Sequence, residues 1–325
     1  MNADEAIKAG QIAEEESDYI GAAAAFSSLL QHSDAHVVAQ ARFHLGRVVW
    51  KQGRLDEALD HCERARTIAI RVGDTDLRGA IENAVGVLHV ARGEYTQARA
   101  AYAVALELTR DVSTRAKITL NLGVIANIQG AYEVAQKRYA QSLMMFREAR
   151  DHRGEALALH NIGMLHADRA EWDEADEAFR GALALFEAQH NRQMIANVLL
   201  NRSEVSYGRG RTHEGLVQCD LALTMYAELG DEIGRGETLR WKGHGLRVLR
   251  RYPDAEQALT ESVRIAERTH TRLLHAEALR ELGRMQQARG DTHAADTLRS
   301  ALEVFRKLGA ERDVKELESE LSNVR

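Results

Sequence analysis

A small residue returns at near-constant spacing along the whole chain, each time inside an apolar stretch of helical period. The positions are Gly10, Gly46, Gly86, Gly123, Gly163, Ser203, Gly243 and Gly283, separated by 36, 40, 37, 40, 40, 40 and 40 residues. Nine residues after each comes Tyr19, Leu55, Tyr95, Tyr132, Trp172, Thr212, Tyr252 or Thr292, and twelve after comes Ala22, Ala58, Ala98, Ala135, Ala175, Gly215, Ala255 or Ala295. Sixteen after the first seven stand Phe26, Cys62, Tyr102, Tyr139, Phe179, Cys219 and Leu259. Columns kept in register this way require stacked copies of one unit, each burying its apolar face against the next. The chain has one proline in 325 residues, against a usual share of about 5 %, so helix is expected almost throughout.

The pattern of a small residue, an aromatic nine later, an alanine twelve later and a bulky residue sixteen later resembles the tetratricopeptide repeat, over roughly residues 3 to 315. The resemblance implies an all-α, right-handed superhelical solenoid of about eight helix-turn-helix units plus a C-terminal capping helix. The 40-residue period is longer than the family's common 34, and is similar to kinesin light chain, leucine-glycine-asparagine repeat adaptors and bacterial regulators. Each small residue lies in the first helix of a pair (helix A), where the second (helix B) crosses and a larger side chain would push them apart. Gly53, Gly93, Gly130, Gly210 and Gly290 fall in the intervening turn, where left-handed backbone is needed. Helix B is expected to end at junctions such as Gly73-Asp74 and Gly230-Asp231.

The reading is of a single solenoid over 1–325, with repeats at about 3–38, 39–78, 79–115, 116–155, 156–195, 196–235, 236–275 and 276–310. Residues 311–325 carry Val314, Leu317 and Leu321, an apolar stripe that reads as a capping helix. Asp4, Glu5, Lys8, Gln11, Glu14 and Glu15 read as a solvated outer face of the first helix, so the array is expected to be complete.

The resemblance implies that helix A lines a concave groove. Two residues before the small column stand Asn121, Asn161 and Asn201 in consecutive repeats. Amides offer donors and an acceptor together, so evenly spaced ones can hold an extended peptide whatever its sequence. In light-chain and polarity adaptors the matching asparagines play this part. The alternative is that these amides bond within the helix layer. Further along, Arg240, Trp241, His244, Arg247, Arg280 and Arg284 take groove positions. Guanidinium groups there favour carboxylates or phosphates, with the indole stacking on a ligand or an arginine; internal pairing with Glu204, Glu237, Glu277 and Glu281 is the other reading. Residues 1–38 hold seven acids against one base, whereas residues 236–290 hold eleven Lys or Arg against seven Asp or Glu. Such asymmetry can steer head-to-tail association, although solvation alone accounts for it and a monomer is expected.

Other chemistries find no support. The net charge of −6 gives no general attraction to nucleic acid. No window of 18 uninterrupted apolar residues offers a membrane span, and the first residues lack the basic and apolar regions of a signal peptide. Two cysteines supply no disulfide framework, and a cytoplasmic location follows as the expectation. Both Cys62 and Cys219 stand in the bulky column and read as core. His32 with His36, and His160 with His166, lack the spacing or partners of a metal site, and no C-x-x-C or H-E-x-x-H occurs. No cofactor, metal or catalytic residue is expected. The functional expectation is a non-catalytic protein–protein interaction scaffold binding a peptide or partner segment in the groove, with acidic groups on the partner read by the arginines. The alternative is a ligand- or peptide-sensing regulatory module of a bacterial signalling or transcription system.

Overall fold

The computed structural model describes residues 2–16 and 18–322, and among them finds seventeen α-helices and no strand. They pair consecutively. The first four pairs are α1 (Ala3–Glu15) with α2 (Tyr19–Ser27), α3 (Ala35–Lys51) with α4 (Leu55–Val72), α5 (Thr75–Ala91) with α6 (Tyr95–Leu108), and α7 (Val112–Ile128) with α8 (Tyr132–Glu148). Next come α9 (His152–Asp168) with α10 (Trp172–Ala188), and α11 (Arg192–Gly208) with α12 (Thr212–Leu229). The last are α13 (Glu232–Val248) with α14 (Tyr252–Arg268), and α15 (Arg272–Arg289) with α16 (Ala294–Leu308), followed by α17 (Glu311–Ser322). Two compact units divide the chain, residues 1–154 and 155–325. No helix among the described residues is long and apolar enough to cross a membrane.

The repeat columns have a direct mechanical meaning within each pair. A Cβ placed on Gly86 would lie 2.4 Å from the ring of Tyr102, on Gly123 2.6 Å from Tyr139, and on Gly163 2.7 Å from Phe179. The small column therefore makes room for the bulky column sixteen residues later, whose members are all buried to within 1 %. Gly86→Ala sets an overpacking cost of about 1–3 kcal/mol against a helix-propensity gain of up to about 1 kcal/mol. We expect a net loss of roughly 1–2 kcal/mol, read as a lower urea midpoint.

Helix ends follow from sequence just as directly. Asp34, Asp74, Asp111, Asn191 and Asp231 each accept a backbone N–H at the start of an A helix, satisfying donors that the helix itself leaves free. The turn glycines 53, 93, 130, 210 and 290 all have φ between 72° and 81°. Ala170 and Arg250 hold the same backbone at φ 56° and 57° without glycine, at a cost of about 1 kcal/mol. Arg250→Gly should therefore stabilise the protein by at most about 0.5 kcal/mol, once the freer unfolded chain is set against the relieved backbone. A thermal midpoint that falls instead would refute this. The lone proline, Pro253, sits in the first turn of α14, where no helical N–H partner is lost.

Two expectations need correction. Glu14 is not on a solvated face: it is buried, 2.9 Å from Arg47 and 3.1 Å from Lys51, because α3 packs over that side of α1. The Glu15 side chain lies outside the described residues. The eighth repeat also slips by one residue. α16 starts only at Ala294, after a turn in which Asp291 accepts the His293 N–H, and Ala294 and Leu298 are buried where the column spacing indicates Ala295 and residue 299. The aromatic column reaches further than its own pair as well. Trp172 packs over Gly208 of α11, and the Tyr252 hydroxyl donates to the Ala288 carbonyl of α15 at 3.1 Å, so these rings tie one repeat to the next.

Within each unit, neighbouring A helices touch, as α3 does α5 and α13 does α15, whereas no such contact between neighbouring B helices occurs among the described residues. The A helices are therefore the more closely spaced layer. At the C-terminal end α17 lays Val314, Leu317 and Leu321 on Leu298, Leu302 and Phe305 of α16, with Leu317 fully buried.

Candidate functional site

The three asparagines differ in what they have left to offer. Asn121, on α7, is hydrogen-bonded to the hydroxyl of the buried Tyr102. Asn161, on α9, donates Nδ2 to the Leu157 carbonyl at 2.9 Å, which uses one donor and leaves its Oδ1 and second N–H. Asn201, on α11, is half-buried and has no side-chain hydrogen bond to any described residue. Asn121 is thus engaged by Tyr102 of the preceding B helix, while Asn201 keeps its full capacity.

Arg240, Trp241, His244, Arg247, Arg280 and Arg284 come together on the adjacent helices α13 and α15. Glu281 is the hub. Its side chain is 6 % exposed, with the Arg284 guanidinium at 2.9 Å, the His244 Nδ1 at 3.1 Å and Arg247 at 3.4 Å. His244 Nδ1 lies between the Glu281 carboxylate, which accepts, and an Arg247 N–H 3.2 Å away, which donates; carrying the proton it donates to Glu281, and without it it accepts from Arg247. Burial alone would raise the Glu281 carboxyl, but the His244 hydrogen bond and the charges of His244, Arg247 and Arg284 hold it well below the usual carboxylate range.

The other arginines are engaged too. Arg240 lies 3.4 Å from Glu277 and 4.6 Å above the Trp241 ring. Arg280 lies 2.6 Å from Asp313 and 5.1 Å above Phe305. Arg284 also meets Glu316 at 3.1 Å and Glu320 at 2.8 Å. Three carboxylates of α17 thus sit where a ligand's acidic groups would be read. Sequence reasoning named Glu277 and Glu281 as internal partners but missed Asp313, Glu316 and Glu320. Their signal was present: acids spaced three and four apart, some 32–36 residues after Arg280 and Arg284, which is close to one repeat.

Near Arg240 the balance is acidic. Burial pushes the Glu204 carboxyl up; Arg240 opposes the shift, and the nearby Asp168 and Glu277 add to it. Glu237 is raised in the same way, chiefly by burial. An anion arriving here meets more carboxylate than free cation. Tyr207 completes the cluster, 5.4 Å from His244 and 6.2 Å from Trp241, wedged against Gly215 and Gly245 with its hydroxyl 3.5 Å from the Cys219 sulfur. Both cysteines are buried, and burial pushes the Cys62 thiol up to about 12, far from a reactive thiolate.

The geometry defines a helical-repeat protein whose side-chain chemistry is spread along a layer of A helices. Family models described as tetratricopeptide repeat match residues 37–111 and 114–188, and a second matches 84–143. The chain belongs to the tetratricopeptide-repeat superfamily, a group of protein-interaction and regulatory modules. No curated protein matches it in sequence. Among solved structures it is similar to a Rap protein complexed with Competence and Sporulation Factor, at 14 % identity over 99 % of this chain and 95 % of that one, with a TM-score of 0.67. It is similar to a signal transduction ATPase with numerous domains, carrying a tetratricopeptide repeat sensor, from Pyrococcus horikoshii. That match has 13 % identity over 94 % of this chain and 52 % of the other, TM-score 0.65. BtubC from P. vanneervenii matches at 19 % identity over 71 % of this chain and 93 % of its own, TM-score 0.53.

Proposed function

We propose that the chain is a non-catalytic interaction scaffold that binds a peptide or partner segment along its A helices. The side-chain amides of Asn161 and Asn201 hold the partner's backbone, and Asn121 acts mainly through Tyr102. The observation that carries this is the unspent hydrogen-bonding capacity of Asn201, half-buried on α11. A partial desolvation of that amide without a partner is costly, and a peptide N–H and C=O would relieve it. Arg240, Arg247, Arg280 and Arg284 reach a partner's carboxylates only by exchange with Glu277, Glu281, Asp313, Glu316 and Glu320, so acidic groups are not required of the partner.

The test is selection of peptides from a random displayed library against the full chain, followed by affinity measurement. Asn161→Ala with Asn201→Ala should weaken selected peptides at least tenfold while leaving the thermal midpoint within about 2 °C, since little packing is lost. Selected peptides that bind the double variant as tightly as wild type would remove the amides from the site. The second reading, a ligand- or peptide-sensing regulatory module of a bacterial signalling or transcription system, is supported by the α17 carboxylates. A ligand carboxylate taking Arg284 would release Glu316 and Glu320, and faster proteolysis within α17 on binding would report it.

A further inference from the structure

The first unit contains a pocket of about 410 Å³ between α3, α5 and α7, floored by Gly46 and Cys62. Its origin lies in the repeat columns. In five sister repeats the space beside the small residue is filled by the rings of Phe26, Tyr102, Tyr139 and Phe179 or by the side chain of Leu259. In this repeat the bulky position holds only a cysteine. The other cysteine repeat closes the same deficit twice over. Ser203 replaces glycine, and Tyr207, four residues further on, reaches Cys219 at 3.5 Å. Trp50 holds the position of Tyr207, four residues after Gly46, but it stays 40 % exposed and lines the pocket wall instead of plugging it.

The lining states what would fit. Phe43, Trp50, Val87 and Leu88 make apolar walls. Asn83 also lines the pocket, and its Oδ1 is buried without a hydrogen-bond partner, which calls for a donor from outside the chain. Two cations lie at the pocket, and no carboxylate is among its lining residues. Arg47 is engaged by Glu14 at 2.9 Å, whereas Lys117 is 52 % exposed and only loosely paired, 3.8 Å from Asp151. The volume falls within the range of small-molecule sites, roughly 300–1,000 Å³.

We propose that this pocket binds a small molecule with an aromatic or branched apolar body, a hydrogen-bond donor for Asn83 Oδ1 and a carboxylate, the body lying over Gly46 and Cys62 and the carboxylate facing Lys117. The inference does not depend on the peptide reading.

The test uses 2-naphthoate, indole-3-acetate and 4-phenylbutyrate as probes, titrated by calorimetry into the full chain and followed by tryptophan fluorescence. At least one should bind one-to-one with a Kd of about 1 mM or tighter, as expected for ligands of this size, and its uncharged amide should bind about fivefold to tenfold more weakly. Cys62→Phe supplies the ring that sister repeats carry over their glycine. It should abolish binding while maintaining or raising the thermal midpoint. Lys117→Gln, on an exposed side chain, should remove the preference for carboxylate over amide. Failure of all three probes would overturn the proposal, as would equal binding to the Cys62→Phe protein. If the acids fail but library-selected peptides lose affinity on Cys62→Phe, the occupant is a peptide side chain and the small-molecule assignment is wrong.

Discussion

Glu281→Ala is expected to destabilise the C-terminal unit by about 3–5 kcal/mol and to lower its thermal midpoint by roughly 6–20 °C. The carboxylate is buried and is shared by His244, Arg247 and Arg284. Removing it leaves like charges facing one another across α13 and α15, in a setting where the Arg247 Nε is already buried without a hydrogen bond. Arg284 keeps Glu316 and Glu320, so the damage centres on Arg247 and His244. Glu281→Gln retains an acceptor and should lose less. The pH dependence follows from sign. The folded carboxyl lies below its unfolded value, so its contribution is present above the ordinary carboxylate range and is lost as pH falls through the lower folded value. The gap between wild type and the glutamine variant, measured by urea titration, should therefore close in strong acid. A gap that stays constant from pH 7 to pH 3, or a Glu281→Ala protein within about 1 kcal/mol of wild type, would show that the hub does not hold the two helices.

Mild acid should weaken both units. His44 and His160 are each lowered to about 4, in both cases chiefly by burial, with the Arg47 charge adding to the effect at His44 and the Glu14 charge opposing it. Each ring packs on a core aromatic ring, His44 stacked on Phe26 at 5.0 Å and His160 tilted against Phe179 at 5.7 Å. Above about pH 6.5 both folded and unfolded rings are neutral and stability is complete. Between about 6.5 and 4 only the unfolded ring takes a proton, and stability falls by about 1.4 kcal/mol per pH unit for each histidine. That amounts to about 2 kcal/mol per unit of the protein by pH 5. The raised Glu204 and Glu237 act in the opposite sense, since the folded state protonates first and gains stability as pH falls through their values. The slope in the C-terminal unit should accordingly be the shallower of the two. Substituting His44→Gln and His160→Gln should flatten both slopes. Identical slopes in wild type and the double variant would assign acid lability to other groups.

The fold was legible because the repeat columns are a packing code written in residue size. Gly86 opposite Tyr102 and Gly123 opposite Tyr139 can be read as a pair from spacing alone, since a helix has one geometry and a ring needs one volume. The capping stripe of Val314, Leu317 and Leu321 was legible for the same reason. The charged residues were not. Arg280 and Arg284 have the same side chains whether they await a ligand or are held by Asp313 and Glu320; only which helix lies alongside decides. Glu14 has the same ambiguity, and α3 resolved it by covering that side of α1.

The amino-acid sequence by itself determined the number of helices and, outside the eighth repeat, which residues meet inside a repeat. These depend on local geometry, on capping and on volume matched over a short separation. The tertiary structure alone decided how polar groups divide between internal pairing and availability, because a hydrogen bond or ion pair depends on partners one repeat away and on distances of a few tenths of an ångström. It decided, too, that two repeats with the same cysteine substitution end differently. Tyr207 turns inward to fill the space beside Cys219, while Trp50 stays partly in solvent and leaves the space beside Cys62 open, a difference set by how neighbouring helices admit an aromatic ring.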